Sequence, residues 1–278
     1  MFRKSIVTRV LALGVAAFTF TSCEEVADAL SQGDTVAALK EALGVGVNVA
    51  VDRLSTEGYF EDAATRIGLP QEAVTAFTAV QALQKVSAVS SVLNEVGLGS
   101  DLQDNLITLF NEAATDAAPK AATVFASAIT NMSVQDGEGI LFGGSGAATT
   151  YLKDNTYTDL QGAFHDPIVN SMNKVNIAGM TATTAWTKFA TGNNKLAGYI
   201  NQNKSAINLA AATGLIPSNA MTAINNVGEV NTDISDYVTG KALDGLFLRV
   251  SQKEDDIRTN AAARTSDLLK RVFGRLDE

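Results

Sequence analysis

The chain has one cysteine, one histidine, one tryptophan and four prolines in 278 residues. A single cysteine, Cys23, rules out an intrachain disulfide. One histidine, His165, and one cysteine fall short of the several His or Cys ligands that a zinc centre draws on, so no metal site and no cofactor are expected. His165-Asp166 has no Gly-x-Ser-x-Gly turn to work with, so no catalytic residue is assigned. Aromatic residues make up 6% of the chain, which suits closely packed helices better than an aromatic-lined sugar site. No long alternating apolar pattern marks a sheet, and no calcium-loop spacing of acidic residues is present.

What is present begins at the N-terminus. Arg3, Lys4 and Arg9 precede the mostly apolar run Val10 to Phe20, which is too short to span a bilayer comfortably. Phe20-Thr21-Ser22-Cys23 then resembles a lipobox, with the sole cysteine where a thiol is needed to receive a diacylglycerol. Residues 1–22 are therefore expected to be a cleaved lipoprotein signal peptide, and residues 23–33 an acylated N-terminus and tether. Residues 34–278 are expected to form one helical domain. Losing the three positive charges of Arg3, Lys4 and Arg9 takes the formal charge from −9 to −12. So acidic a surface argues against nucleic acid and against a peripheral grip on anionic lipid. Membrane attachment is expected through Cys23, in the bacterial cell envelope, with the outer membrane favoured on account of Glu24-Glu25.

Apolar residues recur at helical spacing along the rest of the chain. Asp34 is read as the cap of a helix carrying Val36, Leu39, Leu43, Val47, Val51 and Leu54, with Gly44 and Gly46 marking a close helix contact. Pro70 starts a second helix with Val74, Phe77, Val80, Leu83 and Val86, and Ser100 caps a third with Leu102, Leu106, Leu109 and Ala113. Pro119 divides that pattern before Phe125 and Ile129. Ser133 caps a short helix through Leu141, Thr156 caps the next, and residues 178–231 give two or three helices around Trp186. Asn231 or Thr232 opens a helix with Leu243, Leu246, Phe247, Val250 and Ile257, and Asn260 caps the last. The expected class is all-α, an irregular multi-helix bundle.

Two features carry the candidate chemistry. The loop Gly143-Gly144-Ser145-Gly146 before a helix is able to cradle an anion, but lacks the Lys-Ser/Thr ending of a Walker loop. The C-terminal segment pairs Glu254 with Arg258 and Arg264 with Asp267 at helical spacing. Arg258 is placed near the core boundary with Asp267 as its partner across the turn. Asn111, Asp136, Gly143, Gly144, Glu254, Arg258, Arg264 and Asp267 form the candidate cluster, either a polar-ligand site or a set of structural contacts.

The C-terminal residues also carry a resemblance. Tyr237-Val238, Lys241-Ala242-Leu243-Asp244-Gly245-Leu246-Phe247, Glu254, Ile257-Arg258 and the run from Arg264 to Gly274 resemble a family of bacterial lipoproteins, domain of unknown function 4197. Leu39 to Leu43, Gly58-Tyr59-Phe60, Asn111 to Ala114, Ile140-Leu141 and Tyr151-Leu152 extend it toward the N-terminus. The resemblance implies an exported helical lipoprotein and brings no activity with it. The leading expectation is a lipid-anchored, non-enzymatic binding or assembly module with an envelope protein partner. Its rival is a small-ligand receptor or enzyme with a pocket near Gly143–Gly146 and the C-terminal charges.

Overall fold

The computed structural model describes residues 32–83, 101–177 and 179–277. Cys23, the acidic pair after it, Ser100 as a cap, and the helix pattern beyond Leu83 lie outside these residues. The fold is all-α, a multi-helix bundle, with one short hairpin among the described residues.

Helix α1, Gln32–Thr56, buries Leu39, Leu43, Val47, Val51 and Leu54. It begins two residues before Asp34, so this side chain lies in the first turn, where its charge faces the positive end of the helix dipole. A Cβ on Gly44 would meet nothing, and one on Gly46 would make only ordinary contact with Lys253, so neither glycine marks a close helix approach. After α1 the chain turns at Gly58 and buries Tyr59 completely. Helix α2, Gln71–Leu83, follows Pro70. Helix α3, Leu102–Ala117, runs through a 3-10 turn at Pro119 into α4, Ala121–Asn131.

Helix α5, Val134–Phe142, starts at a capping box: Ser133 Oγ accepts from the Asp136 N–H, and Asp136 accepts from the Ser133 N–H. Helix α6, Ala147–Met172, starts at the glycine loop, nine residues before the expected cap. Thr156 lies inside it and is buried, its hydroxyl donating 2.6 Å to the Leu152 carbonyl. The buried side of α6 repeats every four residues: Ala148, Leu152, Thr156, Leu160, Phe164, Ile168, Met172. That stripe lets α6 pack against α3, α4 and the long C-terminal helix at once.

Strands β1, Val175–Ile177, and β2, Met180–Thr181, make a small antiparallel hairpin that the sequence pattern does not announce. Helices α7, Ala182–Gln202, α8, Lys204–Ala212, and α9, Ser218–Asn225, follow. Helix α10, Ser235–Thr259, starts three residues later than Thr232, because Asp233 first takes the Ser235 N–H and hydroxyl in a turn. Asn260 caps a 3-10 turn over Ala261–Ala263, and Ser266, not Asn260, caps the last helix, α11, Asp267–Phe273.

The main core runs through α1, α3, α4, α6, α7, α10 and α11, with Phe125 edge-on to Phe247 and Trp186 close to Phe110 and Phe189. A separate small cluster joins Val80, Leu196, Ile200, Ile216, Ala220 and Ile224. Two motif residues far apart in sequence explain one another. The Tyr59 ring lies on Gly245, where a Cβ would stand 2.8 Å from the ring, and its hydroxyl donates 2.9 Å to the Ala242 carbonyl. Burial pushes the Tyr59 phenol far above its ordinary pKa, so it remains a donor throughout the working range.

Candidate functional site

The residues grouped from the sequence separate into three places. The first is the junction of α5 and α6 with the C-terminal half of α10. Along α10 a buried stripe repeats every four residues through Val238, Ala242, Leu246 and Val250, and its next two positions are Glu254 and Arg258. Both are 8% exposed, so their charges must be satisfied inside the protein.

Glu254 meets the start of α6. Its carboxylate accepts from the Ala148 N–H at 3.0 Å, the Thr149 N–H at 2.8 Å and the Thr149 hydroxyl at 2.7 Å. Those are among the N–H groups that a helix start leaves unpaired, at the positive end of its dipole. Arg258 meets the end of α5. Its guanidinium donates to the carbonyls of Ile140 at 2.7 Å and Leu141 at 3.2 Å, and its Nε donates to Glu254 at 3.0 Å. One ion pair thus supplies an anion to a helix start and a cation to a helix end, on the two sides of one loop.

The glycines make this approach feasible. A Cβ on Gly143 would stand 2.9 Å from the Ala147 side chain, and Gly146 holds φ +80 as it enters α6. The loop is also tied to α10 by Ser145, whose hydroxyl donates to Asp255 at 2.5 Å. The helix start expected to cradle an anion therefore holds one, and it is the protein's own Glu254. The void between these groups, α1 and Phe273 is about 20 Å³, room for about one water molecule.

Arg264 closes the end of α10 in a similar way. It donates to the carbonyls of Ile257 and Arg258 and forks onto Asp277 at 2.6 and 2.8 Å. The pairings expected for Asp267 are overturned: its carboxylate is 96% exposed and meets only Lys270, at 3.3 Å. The reason is rotational. Asp267 begins the short α11 on its outer side, while the C-terminal turn brings Asp277 back to Arg264.

The second place is Asn111, away from this junction. Its side-chain amide accepts from the Ile67 N–H at 2.8 Å and donates to the Ile67 carbonyl at 2.9 Å and the Ile107 carbonyl at 2.7 Å. It reproduces a strand's pairing for an extended segment that has none, fixing the chain before Pro70. Asn194 does the same for Val230.

The third place is a polar groove that contains Asp136. Thr123, Ser127 and Asn131 from α4, Asp136 from α5, and Tyr151, Asn155 and Asp159 from α6 line a space of about 610 Å³. Hydrogen bonds from the Ser133 hydroxyl and N–H hold the Asp136 carboxyl below the usual carboxylate range. Of this set only Asp136 was a candidate site residue from the sequence, and Tyr151 entered only through the family resemblance. The signal available for the others was a polar side of α6 at four-residue spacing, Tyr151, Asn155 and Asp159. The groove offers hydroxyls, amides and carboxylates to a hydrated polar ligand or a peptide edge. Its volume lies within the range of small-molecule sites.

His165 is on the surface of α6, 3.3 Å from Asp166 and 3.8 Å from Asp236. Among the described residues no cluster of three or more His, Cys, Asp or Glu is arranged to hold a metal ion, and no helix is long and apolar enough to cross a membrane. The family model described as Protein of unknown function (DUF4197) matches residues 29–274. Neither a curated protein nor a solved structure matches the chain.

Proposed function

The chain belongs to the DUF4197 family, and from that premise we propose that it is a lipid-anchored cell-envelope protein that works as a non-enzymatic binding or assembly module. The observation that carries the reading is the position of the sole cysteine. Cys23 closes a lipobox-like stretch nine residues before α1 begins, which agrees with the reading of residues 23–33 as an acylated N-terminus and tether. Nine residues, fully extended, reach about 30 Å, enough to hold the bundle beside a membrane; among the described residues no helix is long and apolar enough to cross one. The outer membrane is the favoured location.

For the binding surface we take the groove lined by Asp136, Tyr151, Asn155 and Asp159. The charges at the glycine loop, by contrast, are engaged with helix ends around a void of about 20 Å³, which favours the groove over the loop as the place where a partner docks.

The test joins both parts. Cells are labelled with an alkyne fatty acid, and a photo-crosslinking residue is placed at Asn155. Wild type is expected to carry label and to yield a discrete crosslinked product. Cys23→Ala is expected to lose the label. Acylation that survives Cys23→Ala overturns the anchor. A crosslinker at Asn155 that captures nothing, while one at Leu209 does, overturns the groove.

A further inference from the structure

A second cleft lies between the C-terminal half of α1 and the middle of α10, away from the groove. Val49, Ala50 and Arg53 form one wall and Arg249, Gln252, Lys253 and Asp256 the other, around about 180 Å³. Three cations meet there in a protein whose net charge is −9. They are not equivalent.

Arg249 is the floor. Its side chain is 6% exposed, and it reaches Asp62 at 2.6 Å through one terminal nitrogen and Gln252 at 2.9 Å through the other. Its Nε–H is buried and has no acceptor among the described residues. Asp62 balances the charge of this guanidinium, but its Nε–H without an acceptor is costly and is left unsatisfied. Arg53 and Lys253 are the movable walls. Arg53 is half-exposed and holds Glu57 one turn away; Lys253 holds Asp256 at three residues. The Lys253 side chain is 21% exposed and its partner Asp256 about half-exposed; ion pairs that reach the solvent in this way contribute little, so both heads can turn to a better acceptor.

We propose that this cleft binds a phosphate-class oxyanion. The planar fork of Arg249 is already engaged with Asp62 and Gln252, so bidentate capture of a carboxylate is blocked there. What remains are two cationic arms from different directions above a guanidinium that is already paired, an arrangement that suits a tetrahedral group with oxygens on several sides. The space is ample for one such group. Val49 to Arg53 lie 17 to 21 residues along α1 from Gln32. That is about 26–32 Å along the helix from where the tether joins the bundle, a span comparable to the tether's own reach, so a dissolved phosphate compound and a lipid headgroup are both sources of such an oxyanion.

The test is calorimetric titration of the full chain, in mild detergent and low-salt chloride buffer, with sodium pyrophosphate. Saturable binding in the range below about 1 mM is expected. The double variant Arg53→Gln/Lys253→Gln is expected to weaken it at least about tenfold with the melting temperature little changed, because the pairs each head makes are with partly exposed carboxylates and glutamine keeps most of each stem. A control of equal charge change, Lys188→Gln/Lys204→Gln, is expected to bind as wild type does. No saturable heat up to about 10 mM pyrophosphate, or an equal loss in the control, overturns the site. Sedimentation with phosphatidylglycerol vesicles separates the two sources of phosphate. Vesicle binding that depends on Arg53 and Lys253 without pyrophosphate binding overturns the dissolved ligand in favour of the headgroup.

Discussion

The two ends of this bundle are built from the same kind of helix and held by different forces. At the α5–α6 junction, buried charges on α10 grip a helix end and a helix start, and each contact is directional. At the α8–α9 end, the described contacts are those of a small apolar cluster, Val80, Leu196, Ile200, Ile216, Ala220 and Ile224. Helix α8 buries no residue, and Leu209 and Leu215 are about two-thirds exposed. Helix content is alike at the two ends, so helicity alone says nothing about rigidity. What differs is whether the groups that join the helices have an alternative. A buried Glu254 or Arg258 has none without its partner, whereas apolar side chains in a small cluster slide at modest cost.

The largest effect is expected at the charged end. Arg258→Ala leaves Glu254 buried without its cation and frees two carbonyls at the end of α5; the expected loss is about 3–5 kcal/mol. Thermal unfolding checks it, as a drop of about 10 °C in a chain of this size. Glu254→Ala should be similar, and the double variant should cost clearly less than the two losses added. Additive losses would mean that the pair does not act as one clamp. At the other end Ile224→Ala is expected to cost about 2 kcal/mol, the low side for a buried isoleucine, because a small cluster collapses around the gap. Hydrogen exchange should show the loss in α8 and α9, with α5 and α6 still protected. A uniform loss of protection would erase the difference between the ends.

A pH series sharpens the contrast within the C-terminal turn. Arg264 holds the Asp277 carboxyl below its ordinary pKa. A group depressed in the folded state adds stability above its unfolded value near 3.9, and that stability is lost as pH falls through the folded value. Melting temperature should therefore decline below about pH 4 in wild type, and less steeply in Asp277→Asn; identical slopes would remove Asp277 from the clamp. The smallest effect is expected for Asp267→Ala, within about 0.5 kcal/mol, since this side chain is at the surface. A loss as large as that of Arg258→Ala would restore Asp267 to the buried network.

Part of this organisation was legible in the sequence. The periodic apolar residues of α1, α3 and α10 are buried much as their spacing implies, and Ser133 caps α5 as read, with Asp136 completing a capping box that was not. Arg258 is buried, and the four-residue stripe from Val238 through Val250 points to it and to Glu254. Thr156 misled because a threonine before an apolar run has the sequence appearance of a cap. Inside α6 its hydroxyl bonds to the Leu152 carbonyl behind it instead. Asn111 was named, but its task was not legible, because its partner Ile67 lies 44 residues earlier.

The sequence by itself determined the helical class, most helix faces and the family. Local spacing decides which side of a helix is apolar, and backbone hydrogen bonds close within a few residues. Only the tertiary structure decided what the charges do. Glu254 gained the start of α6 from residues more than a hundred positions away, and Arg264 chose Asp277 over the nearer Asp267. Those choices depend on which backbone ends the packed helices bring within 3 Å of a side chain that has left water. Charge spacing along one helix does not contain that information.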